Sequence, residues 1–140
     1  MVTSTREIGG LLDHIGFRKA PAGDGSLLWE LPVAPHVVNT SGGLQGGLIA
    51  TLADIAAGTV ALEARAPGAG GVVTSDLSVR YFRPITAGVA RAVSRIVHAG
   101  KRMIVVQVDV LGSDDDRPAA IATVSFATVD FPTDATAAHP

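Results

Sequence analysis

Cysteine is absent from the chain, which excludes disulfide bridges, a thiolate nucleophile and any metal site built on cysteine. Charge is scarce as well: Asp, Glu, Lys and Arg make up 17% of the 140 residues, and the formal net charge is −2. A balance this weak and of this sign lacks the footprint of a nucleic-acid or membrane-surface protein, so neither partner is expected. The four histidines, at 14, 36, 98 and 139, show no metal-ligand spacing, and no zinc site is expected. The acidic run at 114–116 lacks the other ligands of a calcium loop. "GGLQGG" is not followed by the Lys-Ser/Thr of a phosphate loop, and no nucleophile elbow surrounds Ser41. The longest apolar stretch, 48–62, is interrupted by Asp54 and is too short to cross a bilayer. The opening "MVTSTREIGG" carries Arg6 and Glu7 and no apolar run. No secretory signal is therefore expected, and the default compartment is the cytoplasm.

Apolar residues are plentiful, at 47%. They suit one globular domain over residues 1–131, followed by a disordered tail at 132–140. "STREIGGLLDHIG" reads as a short amphipathic helix with Ser4 or Thr5 as its cap. "DGS" at 24–26 is a turn between short strands, the second being "LLWELPV". A glycine-rich loop at 39–47 leads into a helix from about Gly46 to Ala64, closed by "APGAGG". Beyond it the period falls from about 3.6 to two, and "VVTSDLSVRYFRP", "GVARAVSRIVH", "RMIVVQVDVL" and "PAAIATVSFATVDF" read as strands. Short links, "ITAG", "AGK" and "GSDDDR", suit antiparallel neighbours. An apolar helix followed by a run of antiparallel strands predicts an α+β domain: one long helix wrapped by a curved sheet of about six strands.

Within that helix Asp54 is the lone charge between Asn39 and Leu62. Leu48, Leu52, Ile55, Thr59 and Leu62 recur at spacings of four and three and are expected to face the sheet. The face around Asp54 is small: Gly47, Ala50, Thr51, Ala57, Gly58 and Ala61. Another backbone can approach it closely. A buried carboxylate costs several kcal/mol unless hydrogen bonds or a protonation shift compensate. A satisfied structural aspartate is one reading. The preceding "SGGLQGG" favours another, because glycines at a helix start expose N–H groups and the positive end of the dipole. Asn39 and Gln45 add side-chain amides there. A carboxylate and an oxyanion-binding helix end are parts for ester or thioester hydrolysis. Yet Asp54 lies about 12 Å along the axis from Gly46 at 1.5 Å per residue. A reacting carbonyl must lie within about 3 Å of both groups. Two antiparallel helices across a two-fold axis meet that requirement, so an obligate homodimer with two shared sites is expected.

"N-x5-Q-G-G-x6-D", with "TSDLSVRYFRP" and "GKR" between two strands, resembles the hotdog-fold acyl-CoA thioesterases, in particular the phenylacetate-degradation (PaaI-like) branch. The likeness covers roughly residues 8–131. It implies a hydrolase acting on an acyl-CoA thioester without a cofactor, CoA being part of the substrate, and dimers that often pair into tetramers. It places Asp54 as nucleophile or general base and the Gly46 N–H as the group polarising the thioester carbonyl. Asn39 then lines the site, and Thr74 supplies a hydroxyl that positions water. "YFRPIT" and "HAGKRM" fall where relatives contact CoA, which nominates Tyr81, Arg83, Pro84, Gly100, Lys101 and Arg102. One departure stands out: relatives usually carry His where this chain has Gln45. Glutamine donates a hydrogen bond but carries no positive charge.

Arg80, Arg83, Lys101 and Arg102 are candidates for a basic rim around phosphates, against solvated strand ends as the plain reading. Arg91 and Arg95 share a strand face and are expected to be solvent-exposed. Two function classes remain: a metal-independent acyl-CoA thioesterase, and a non-catalytic hotdog protein that binds an acyl-CoA or related ligand.

Overall fold

Alternating apolar residues form the long strands, and a glycine-bounded apolar run forms the helix, in a computed structural model that describes residues 10–113 and 115–130. The strands are β1 Arg18–Pro21, β2 Leu27–Pro32, β3 Gly71–Tyr81, β4 Val89–Ala99, β5 Met103–Leu111 and β6 Pro118–Val129. The central helix runs Gly46–Ala64, and a 3-10 turn occupies Pro35–Val37. All six strands make one antiparallel sheet in the order β1-β2-β4-β5-β6-β3. The helix packs against β2, β3, β4, β5 and β6. The sheet therefore wraps it, and the α+β hotdog layout expected from the sequence is the fold observed. Residues 10–15 are helical; the rest of the expected N-terminal helix and the tail at 132–140 lie outside the described residues.

Strand β5 shows the period of two directly. Ile104, Val106, Val108 and Val110 are fully buried toward the helix, whereas Met103, Gln107 and Asp109 are not. On the outer face Arg95 donates to Gln107 Oε1 at 3.0 Å, and Gln107 donates to Asp109 Oδ1 at 3.3 Å. Arg91, expected to be exposed, is half-buried and donates to the Gly112 carbonyl at 3.4 Å.

The short link after β3 does not join neighbours, contrary to expectation. Strand β3 sits at the far edge beside β6, and β4 lies three strand spacings away, about 14 Å. The seven residues 82–88 can reach roughly 23 Å when extended, so a short segment suffices for the crossing. Phe82 and Arg83 N–H both bond the Ala119 carbonyl, at 2.8 and 3.2 Å, and Leu44 N–H bonds the Ile85 carbonyl at 2.9 Å. This crossing runs beside the glycine loop at the helix start.

The face that the helix turns to the sheet also differs from the expected stripe. Ile49, Leu52, Ala53, Ala56, Ala57 and Ala61 are buried, whereas Leu62 is 44% exposed. A helix apolar on every side carries no directional signal in its period. Packing volume decides instead: the sheet presents Ile104, three valines of β5, Val124 and Phe126, and alanines leave room for them. Gly58 faces the Phe126 ring, which a side-chain carbon there would meet at 3.8 Å. Part of the small face is thus covered by the chain's own sheet. By length and apolarity alone, these 19 residues are enough to cross a bilayer, more than the interrupted run at 48–62 suggests. Here they form the core helix.

Candidate active site

Local bonds build a rigid start for the helix. Gly42 turns with φ +83°, a left-handed conformation that favours glycine. The Asn39 side-chain oxygen accepts N–H bonds from Ser41 at 2.9 Å and Gly43 at 3.2 Å. Its carbonyl accepts from Gly42 at 3.0 Å, and its N–H donates to Gly43 at 2.7 Å. Asn39 thus staples the loop with its oxygen and keeps its NH2 as a donor. Gly43 lies against Pro84, whose Cβ is 3.1 Å from where an added side-chain carbon would sit. Gln45 N–H reaches the Val37 carbonyl at 3.0 Å, and its side-chain amide folds back to the Val38 carbonyl at 3.4 Å.

Two peptide units at the helix start are polarised. The Gln45 carbonyl accepts from both Leu48 and Ile49, at 3.0 and 3.1 Å. The Gly46 carbonyl accepts the Tyr81 hydroxyl at 2.6 Å. Gly46 and Gly47 are the first two helical residues, so their N–H groups have no intrahelical acceptor. Burial pushes the Tyr81 hydroxyl pKa above its usual range.

Eight residues on, Asp54 lies partly buried on the helix flank next to β3. Thr74 Oγ1 donates to its Oδ1 at 2.8 Å. Among the described residues the carboxylate enters no ion pair. The Asp54 side chain is therefore oriented by a neutral hydroxyl. Thr74 reaches it because β3 turns Thr74, Leu77, Val79 and Tyr81 to the helix side, opposite Phe126, Val124, Ala122 and Ala120 of β6. Ser75 is the extra residue of a bulge between Thr74 and Asp76.

In one chain the parts stay apart. The carboxylate and the free amides are separated by about 12 Å of helix. The nominated CoA contacts fall into two groups. Arg83, held by the Pro118 carbonyl at 2.9 Å, lies with Tyr81 and Pro84 at one end of the sheet. Gly100, Lys101 and Arg102 form the turn at the other end, where Thr128 bonds the Lys101 carbonyl at 2.8 Å. The ten residue steps of β6 between them span roughly 33 Å. His36 donates to the Ile15 carbonyl at 2.8 Å. Among the described residues no group of three His, Cys, Asp or Glu is placed to hold a metal ion.

Four contacts escaped sequence reasoning. The Tyr81–Gly46 bond joins residues 35 apart with no shared pattern; the family likeness nominated Tyr81 only as a CoA contact. Asp115, in the acidic run read only as lacking a calcium loop's ligands, pairs with Arg83 at 3.7 Å and with Arg117 at 3.4 Å. The Arg117 N–H bond, then its guanidinium, holds the Asp115 carboxyl below the ordinary carboxylate range. Trp29 Nε1 donates to Thr59 Oγ1 at 2.9 Å, on the side of the helix turned away from Asp54.

A curved antiparallel sheet of six strands wrapped around one long helix is the hotdog fold. The chain belongs to the thioesterase superfamily, whose profile matches residues 42–119, more than half its length. No curated protein matches it. Among solved structures it is similar to the BH2602 protein of Bacillus halodurans, determined with CoA. Identity to that protein is 28% and the TM-score 0.79, over 93% of this chain and 89% of that one. The conserved protein PA5202 of Pseudomonas aeruginosa is also 28% identical, with a TM-score of 0.71 over 85% of this chain and 93% of that one. The PaaI protein of the Escherichia coli phenylacetic acid degradation operon shares the fold at 18% identity, with a TM-score of 0.74 over 91% and 90% of the two chains.

Proposed function

We propose that the protein hydrolyses an acyl-CoA thioester to the free acid and CoA at two sites shared across a homodimer. The observation that carries this reading is the 2.8 Å bond from Thr74 to Asp54 on an edge strand. The same strand, seven residues on, touches the helix start through Tyr81. Strand β3 is long, its outer edge is unpaired among the described residues, and Val73, Leu77 and Tyr81 are exposed on it. Such an edge invites a partner strand. Antiparallel pairing of two β3 strands centred on Ser78 sets Leu77 opposite the partner's Val79, both on the helix side. The bulge at Ser75 then brings Thr74 opposite the partner's Tyr81. Asp54 of one chain thereby approaches the Gly46 and Gly47 amides of the other, and the two helices lie side by side with their flanks covered.

In that site the amides hold the thioester oxygen as it gains charge. In one route Asp54 attacks the carbonyl carbon, the CoA thiolate leaves, and water then hydrolyses the mixed anhydride to the free acid. In the other, Asp54 takes a proton from the water that attacks, and the thiolate leaves as the free acid forms. Thr74 holds the carboxylate in line. The same pairing brings Arg83 of one chain toward Lys101 and Arg102 of the other, a basic rim for the CoA phosphates. The CoA bound to the Bacillus halodurans relative supports the choice of substrate.

A second reading, acyl-CoA binding without turnover, draws on one observation: the Gln45 amide is turned back onto Val38. Hydrolysis and affinity measured with short-chain, long-chain and aryl CoA esters separate the two. For the enzyme, Asp54→Asn lowers kcat by at least about a hundredfold with the fold intact. An unchanged kcat in that variant removes the proposal, and tight binding without turnover in the unsubstituted protein favours the binder.

A further inference from the structure

We infer that Tyr81 is a positioning residue: its hydroxyl, bonded to the Gly46 carbonyl, orients and strengthens the Gly47 N–H as the second donor to the thioester oxygen. This rests on the reading of the helix start as the oxyanion site. A carbonyl oxygen has two acceptor positions. In a helix the Gly46 oxygen accepts one bond from the amide four residues on, and the Tyr81 hydroxyl takes the other at 2.6 Å. Both draw electron density onto that oxygen. The N–H of the same peptide unit, which belongs to Gly47, becomes a better donor. The Gln45 carbonyl does the same for Gly46 by accepting two amides. Tyr81 thus completes a matched pair, and without it the second amide is the weaker one.

The packing agrees. A side-chain carbon on Gly46 would meet the Tyr81 ring at 3.5 Å, so the ring lies against the first helical turn and fixes it relative to β3. Backbone pairing of Tyr81 with buried Ala120 anchors the ring's origin. Desolvation raises the phenol pKa above its usual range, so the hydroxyl stays a donor at neutral pH. Tyr81 itself is 50% exposed, and no contact with the reacting atoms is required of it.

The test uses the single tyrosine of the chain. Tyr81→Phe deletes the hydroxyl, whereas biosynthesis with 3-fluorotyrosine makes this one hydroxyl more acidic and the bond stronger. The Gly47 amide proton, read by NMR in the ligand-free protein, is expected to move upfield in the first and downfield in the second. An oxyanion donor is worth about 10²–10³ in turnover. Weakening it by ~10–30% predicts a roughly two- to eightfold fall in kcat for Tyr81→Phe, with KM unchanged. A purely structural role would not reverse the sign between the two proteins. A Gly47 shift that stays put, or moves the same way in both, overturns the inference. If Tyr81→Phe does not fold, the fluorotyrosine protein alone decides by the direction of its shift. If Asp54→Asn hydrolyses normally, the functional reading fails, while the Gly47 shift still reports on the hydrogen bond.

Discussion

Replacing Gly46 with proline deletes one N–H group and disturbs little else. Gly46 is the first residue of the helix, where the N–H lacks an intrahelical acceptor and proline is well tolerated. A residue before proline must be extended, and Gln45 already sits at φ −55° and ψ 131°. A side-chain carbon at Gly46 would meet the Tyr81 ring at 3.5 Å, an ordinary contact. Fixing φ also removes freedom from the unfolded chain, worth about 0.4–1 kcal/mol in favour of folding. The melting temperature should therefore change little. Catalysis should change much more, because removal of one oxyanion donor costs about 2.7–4 kcal/mol, or 10²–10³ in kcat. The assay is release of CoA thiol from an acyl-CoA ester, with circular dichroism to show that the helix persists. A folded Gly46→Pro protein with wild-type kcat would refute the role assigned to the helix start.

Ser78→Cys places one thiol per chain, in a protein with no other cysteine, on the proposed two-fold axis. Directly opposed residues of antiparallel strands have Cα atoms about 4.5–5.5 Å apart, within disulfide range, so mild oxidation should yield a covalent dimer. Thr123→Cys, one strand further in, should not; equal cross-linking at both positions, or none at Ser78, would count against the β3 pairing. Bonds from the Arg117 backbone and guanidinium depress the Asp115 carboxyl, and those from the Ser26 hydroxyl and N–H depress Asp24. Each contribution to stability is present above the ordinary value of 3.8 and is lost as pH falls through the lower folded value. Carboxyl NMR titrations should show both midpoints below 3.8, and a midpoint at or above it contradicts the bonding described.

The elements were legible because each had a local cause. Strand β5 alternates cleanly from Val106 to Val110, and the helix is bounded by glycine-rich segments at both ends. Topology was less legible. The link from β3 to β4 is as short as a hairpin loop, and only the docking of 82–88 over Ala119 and beside Leu44 shows that it crosses the sheet's end. The helix face was hidden because its period carries no polar side; the bulk of Val106, Val108 and Phe126 decided it. At the candidate site, Asp54 and Gly46 stood out as charge in an apolar helix and glycine at its start. Thr74 came from family likeness, and its contact with Asp54 depends on a bulge that the strand's pattern does not announce. The Tyr81 bond to Gly46 depends on where β3 ends relative to the helix, a tertiary fact.

The account turns on a site made by two chains, and complementation tests that most directly. Asp54→Asn and Gly46→Pro proteins, each nearly inactive alone, are mixed under conditions that exchange protomers. In a mixed dimer one site carries both defects and the other neither, so about a quarter of wild-type activity should return after random exchange. Recovery near that level is the result predicted. Verified mixed dimers that remain as inactive as their parents would show that each chain acts alone, and would contradict the account.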